Sequence, residues 1–113
     1  GFNDGSGSNA RFSAPADVAV TADGLTLLVT EAGNYRLRAI SLCPGKGTTC
    51  AAGVDDAWDS ATAVQTLVPS TTSATGSSDG VGTEVSWDWI SGVDYLPDGK
   101  TLLVSERGNM LIR

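Results

Sequence analysis

Asp55, Asp56 and Asp59 crowd around Trp58. Carboxylates at that density offer oxygen ligands of the kind Ca²⁺ takes. A calcium loop also needs a glycine at its sharp turn and a closing glutamate at fixed spacing, and neither is in register. The expected state of the patch is a solvated acidic loop. Asn3-Asp4-Gly5-Ser6-Gly7-Ser8-Asn9 has cation-binding composition but lacks a closing Glu, so a connecting turn is expected. Ca²⁺ is the one ion this composition leaves open, and otherwise no cofactor is expected. The chain contains no His, which removes the commonest metal ligand and general base from it. The expected catalytic and metal residues are none.

Cys43 and Cys50 flank Pro44-Gly45-Lys46-Gly47-Thr48-Thr49. Their spacing is not C-x-x-C, so a redox or zinc motif fits poorly. Pro and Gly let the segment turn back, and a local disulfide between Cys43 and Cys50 is expected. In the loop-entropy description it would contribute roughly 2–3 kcal/mol, and it would place the chain outside the reducing cytosol. Three tryptophans, Trp58, Trp87 and Trp89, offer flat apolar faces with a polar N–H. Trp58 and Trp89 are candidates for contact with a partner or a glycan, and Trp87 for packing. The net charge is −6, with 13 acidic and 7 basic residues. No basic run exists, so nucleic-acid binding is not expected. No stretch approaches the roughly 20 apolar residues of a membrane-spanning helix, so no membrane insertion is expected. No leader pattern is visible at the polar N-terminus, and no N-x-S/T sequon occurs.

What positions these residues is a repeat. Residues 3–38 align with 78–113 without a gap, at a constant offset of 75, and 14 of the 36 positions are identical. They include Asp4-Gly5 with Asp79-Gly80, Asp23-Gly24 with Asp98-Gly99, Gly33-Asn34 with Gly108-Asn109, and Arg38 with Arg113. A long internal repeat decides architecture before local propensity does. Helical periodicity is broken by Gly and Ser, whereas short β-type runs alternate with turn signals. Val18 to Thr21 reads as a strand, Asp23-Gly24 as a hairpin turn, and Leu25 to Thr30 as the return strand. Leu27-Leu28-Val29 is apolar without alternation, the mark of burial on both faces. Gly33 and Asn34 suit a second turn with left-handed backbone. Tyr35 to Ile40 alternates, which turns Leu37 inward and Arg36 and Arg38 outward. Glu31 and Arg36 flank the turn and form an expected exposed pair, contributing about 0.2–1 kcal/mol. Ala63 to Val68 reads as a fourth, edge-like strand ending at Pro69. One copy is thus expected to be a four-stranded antiparallel sheet, and the second to stop inside its third strand.

In these segments the chain resembles the NHL-repeat family of β-propellers. The connector Gly1 to Pro15, the strand Asp17 to Val20, the strand–turn–strand Leu27 to Arg38 and the outer strand Ala63 to Val68 carry the likeness. The second copy departs from the first with Trp87 in place of Phe12 and Ile90 in place of Pro15. The resemblance implies an all-β fold, a β-propeller fragment of four-stranded antiparallel blades. Residues 1–77 would be one blade with an inserted Cys loop (43–60) and a Ser/Thr linker (70–77), and 78–113 a second, incomplete blade. A propeller repeat is about 40–45 residues, so the 75-residue spacing implies roughly 30 inserted ones. Asp23, Gly24, Gly33, Asn34, Asp98, Gly99, Gly108 and Asn109 would form turns, and Phe12 and Trp87 would plug seams between blades.

Two blades leave open apolar faces. The expected partners are therefore the remaining blades of a longer chain or other copies of the chain, for example three copies making six blades. The leading functional expectation is a non-catalytic scaffold or protein-interaction propeller, secreted or at the cell surface, with extracellular proteins or glycans as partners. A propeller enzyme of the metal-dependent lactonase or lyase type, active in other blades, is one alternative. The related lactonase-like sites use Glu, Asn and Asp. Glu31, Asn34, Glu106 and Asn109 have the matching types, but they fall in the repeated turn motif, which favours a fold role. A glycan-binding propeller is the other alternative.

Overall fold

A computed structural model describes residues 2–6, 9–42, 63–68, 76–81 and 84–113. Those residues form an all-β structure of two antiparallel sheets. The strands are β1 (Gly5–Ser6), β2 (Pro15–Val20), β3 (Thr26–Glu31), β4 (Arg36–Ser41), β5 (Ala63–Val68), β6 (Ile90–Tyr95), β7 (Leu102–Glu106) and β8 (Leu111–Ile112). The first sheet has the order β1-β5-β4-β3-β2 and the second β6-β7-β8. The second sheet repeats β2-β3-β4 of the first. The register agrees too: Val18 faces Val29, and Val93 faces Val104, each 75 positions on. A bulge falls between Pro15 and Asp17 and again between Ile90 and Gly92.

The Asp-Gly turns form as their chemistry requires. Gly24 and Gly99 have φ of 73° and 65°, a region that costs little without a Cβ. The Asp23 carboxylate accepts from the Leu25 N–H at 2.9 Å and from the Thr21 hydroxyl. That of Asp98 accepts from the N–H groups of Lys100 and Thr101, both at 2.9 Å.

Four local expectations are corrected. The left-handed residues of the β3–β4 and β7–β8 turns are Tyr35 (φ 54°) and Met110 (φ 55°), not Gly33-Asn34 and Gly108-Asn109. Gly33 is needed for another reason: a Cβ there would lie 2.9 Å from the Ser13 carbonyl oxygen. Arg38 does not point outward to water but is fully buried. Glu31, also fully buried, pairs with Arg38 rather than Arg36. Finally, β5 is not an edge strand, because β1 pairs along its outer side, with Gly5 opposite Val64.

Side chains alternate across a strand, so each sheet has two faces. On the first sheet Ala19, Leu28, Leu37 and Ala39 share one face, set by the pairs Ala19–Leu28, Leu28–Ala39 and Thr30–Leu37. On the second sheet Val93, Tyr95, Leu102 and Val104 share the opposite type of face. These two faces pack together, with Trp87 and Ile90, into one core. Leu28 and Val29, neighbours on β3, are 2% and 3% exposed, which is the two-sided burial expected of that apolar run. The Cys loop and most of the Ser/Thr linker, with Cys43, Cys50, Trp58 and the acidic patch, lie outside the described residues.

Candidate functional site

The repeated polar residues gather into a buried ionic staple. Glu31 closes β3 and Arg38 sits in β4, on the same face and diagonal to each other. Arg38 Nη1 donates to Glu31 Oε2 at 2.8 Å, and both side chains are fully buried. Arg38 also donates to the carbonyls of Arg11 (3.1 Å) and Asn3 (2.9 Å), and pairs with Asp4 at 2.8 Å. The other oxygen of Glu31 accepts from the Ser13 N–H at 2.7 Å and from Asn34 Nδ2 at 3.0 Å. Asp4 in turn accepts from the N–H and the hydroxyl of Thr66 in β5. A buried charge is tolerated only when paired and hydrogen-bonded, and here one guanidinium ties the connector to three strands. Phe2 and Phe12 lie against it: the Arg36 guanidinium stacks 3.3 Å from the Phe2 centroid and that of Arg38 stands 4.9 Å from Phe12. Burial and the neighbouring Arg38 charge lower the Arg36 pKa from its ordinary value.

The second copy rebuilds the staple at the 75-residue offset. Arg113 Nε stands 2.8 Å from Glu106 Oε2. Its Nη1 donates to the carbonyls of Ser78 and Ser86, both at 3.0 Å. Glu106 Oε1 accepts from the Asp88 N–H at 2.8 Å and from Asn109 Nδ2 at 3.0 Å. Arg113 stands 5.5 Å from the Trp87 ring centroid, where Arg38 has Phe12. Asp79, 3.4 Å from Arg113, is 90% exposed, whereas Asp4 gains the hydrogen bonds of Thr66. Trp87 is buried between the sheets and Phe12 only half-buried, because a second sheet covers Trp87 and none covers Phe12.

Glu31, Asn34, Glu106 and Asn109 are therefore brought together with arginines, pairwise in two separate places. Their carboxylates are engaged by N–H groups and guanidinium groups, which makes them anchors of the connector. Among the described residues no group of three or more metal-ligating side chains lies together. Nor is any helix among them long and apolar enough to cross a membrane. Arg38 and Arg113 were legible as repeated residues. Their burial was not, because alternation gives only the face, and the connector that covers that face is distant in sequence.

The two sheets are also joined through a polar contact at their inner edges. Asp17 Oδ2 accepts from the Val93 N–H at 3.0 Å. β6 is the edge of its sheet, so this bond satisfies an N–H that the ladder leaves unpaired.

Trp89 lies at the end of the second sheet, away from the core, and is 51% exposed. With Asp88, Arg107 and Gly108 it lines an open recess of about 310 Å³. The Arg107 guanidinium stands 6.0 Å from the Trp89 centroid, at the outer limit of a cation–π contact. The backbone of Trp89 is left-handed (φ 50°), as is that of its counterpart Ala14 (φ 46°), a region that costs an L-residue about 1–2 kcal/mol.

Compared with protein-family models, with curated proteins and with solved structures, the chain has no match in any of the three.

Proposed function

We propose that the chain is part of a β-propeller of NHL type, and that it serves as a non-catalytic scaffold or protein-interaction module outside the cell. The observation that carries this reading is the head-to-tail stacking of two equivalent sheets. The face of the first sheet bearing Leu28 covers the face of the second bearing Val93. The counterparts of those faces remain open in part, since Val29, Glu31 and Arg38 on the first are buried. Val18, the counterpart of buried Val93, is 55% exposed, and Val20 is 52% exposed. Leu103, the counterpart of buried Leu28, is 39% exposed, and Ile112, the counterpart of Leu37, is 75% exposed. A heterologous contact of this kind repeats until a ring closes or a filament grows. Around Leu103 and Ile112 the open face holds a recess of about 290 Å³, also lined by Gly92 and Ser105. Further sheets of a longer chain, or of other copies, would fill it.

The scaffold role is supported by how the repeated residues are used. The described carboxylates that match an enzyme-like donor set are engaged in the staples. The residues free of such duties lie on open faces and loop ends, where recognition by a rigid frame resides. An isolated 113-residue chain is expected to self-associate or to lack cooperative unfolding. A monomeric mass with a cooperative transition, measured by light scattering and thermal denaturation, would overturn the propeller reading. Turnover of lactones or phosphate esters by the intact protein with added divalent metal would overturn the non-catalytic one.

A further inference from the structure

We infer that the recess formed by Asp88, Trp89, Arg107 and Gly108 binds a neutral saccharide ring. The inference stands apart from the propeller reading, because it rests on differences between the copies. The backbone of the recess is the same in both. Arg107 N–H donates to the Trp89 carbonyl at 2.9 Å, as Ala32 donates to Ala14 at 3.0 Å. Gly108 donates to Asp88 at 3.2 Å, as Gly33 donates to Ser13 at 3.2 Å. The fold is thus served by Ser13, Ala14 and Ala32 in one copy. In the other copy the same three positions carry a carboxylate, an indole and a guanidinium. A bulky aromatic in left-handed backbone is a costly choice where alanine suffices, and such outliers point to a use.

The three side chains have the complement a pyranose requires. The exposed indole offers an apolar surface for ring C–H groups. Among the described residues the Asp88 carboxylate has no hydrogen bond or ion pair, and Arg107 has only its contact with Trp89. One group accepts from sugar hydroxyls and the other donates to them, with fixed fork geometry. Gly108 leaves room for the acid: a Cβ there would collide with the Asp88 carboxyl group. Neither side chain is spent on the staple, where Asp88 contributes only its backbone N–H.

The test is a titration of the intact protein with a panel of neutral methyl glycosides, read from the indole N–H resonances of Trp89 and Trp87. The expected result is a saturable shift at Trp89 with at least one glycoside and none at Trp87. Trp89→Ala, which restores the residue of the first copy and is followed by isothermal titration calorimetry because it removes the reporting indole, should weaken that binding by about tenfold or more. Arg107→Ala should weaken it as well, and in both variants the Trp87 resonance should stay in place, reporting an intact core. Binding that survives Trp89→Ala, an absence of any saturable shift across the panel, or occupation of the recess by a peptide in place of the sugars would overturn the inference.

Discussion

An arginine, fully buried at Arg38 and 12% exposed at Arg113, is the side chain on which each repeat turns. Arg38 has no exposed surface and binds Glu31, Asp4 and two connector carbonyls. Its neighbour Arg36, two residues away, stacks on Phe2 at a half-exposed site. The two positions should respond very differently to truncation. Arg38→Ala leaves the Glu31 charge buried and unpaired, and should cost the intact protein about 3–5 kcal/mol in denaturant unfolding. Arg36→Ala should cost only about 0.5–1 kcal/mol, the range of an exposed cation–π contact. Asn34→Ala removes a hydrogen bond to a buried carboxylate and should fall between them, at about 1.5–3 kcal/mol. Equal effects at Arg36 and Arg38 would contradict the staple. The directly opposite residue, Arg36, was the natural partner of Glu31 in sequence. The diagonal one wins because long side chains reach across a sheet face, and because the connector offers Arg38 two further acceptors.

At the scale of elements, the hairpins are held by side-chain-to-backbone bonds that titrate. Hydrogen bonds to Thr21 and Leu25 lower the Asp23 pKa below its ordinary 3.8. Hydrogen bonds from Lys100 and Thr101 do the same for Asp98. A carboxylate whose folded pKa is depressed stabilises the fold above its unfolded pKa. That contribution is lost as pH falls through the folded value. Both turns should therefore hold at neutral pH and loosen only below about 3.8, which amide exchange at Thr26 and Thr101 would reveal. Asp23→Asn should remove this acid dependence from the first turn and leave it in the second. Gly33→Ala tests the other turn. Its Cβ would meet Ser13 backbone, so it should displace the connector and destabilise the protein, whereas a glycine kept only for backbone freedom would not depend on Ser13 at all.

At the scale of the molecule, two surfaces expose apolar side chains. Val18 and Val20 lie on one, and Leu103 and Ile112 on the other. If they meet the next sheet on either side, Val18→Asp and Ile112→Asp should each block assembly with the neighbouring unit. Light scattering should then report a smaller species, while the Trp87 fluorescence of the internal core stays native. Aspartates without effect on assembly would show that these faces meet no such neighbour. The Asp17 to Val93 contact bears on the same question. Its counterpart 75 residues later is Gly92, so the next junction in the series would have to form without that carboxylate.

The amino-acid order by itself determined the period, the strand type and the Asp-Gly turns, because these depend on local sterics and on alternation. It also marked Asp4, Glu31, Asn34 and Arg38 as a set, since they recur together. Which face Arg38 shares with Glu31, and that both are sealed from water, came only with the tertiary structure. The connector reaches Arg38 from 27 and 35 residues away, and no local pattern encodes so distant a contact. The same holds for Trp87 and Trp89. Two residues apart in sequence, one is buried between sheets and the other faces an open recess, because the left-handed backbone at Trp89 redirects the chain there.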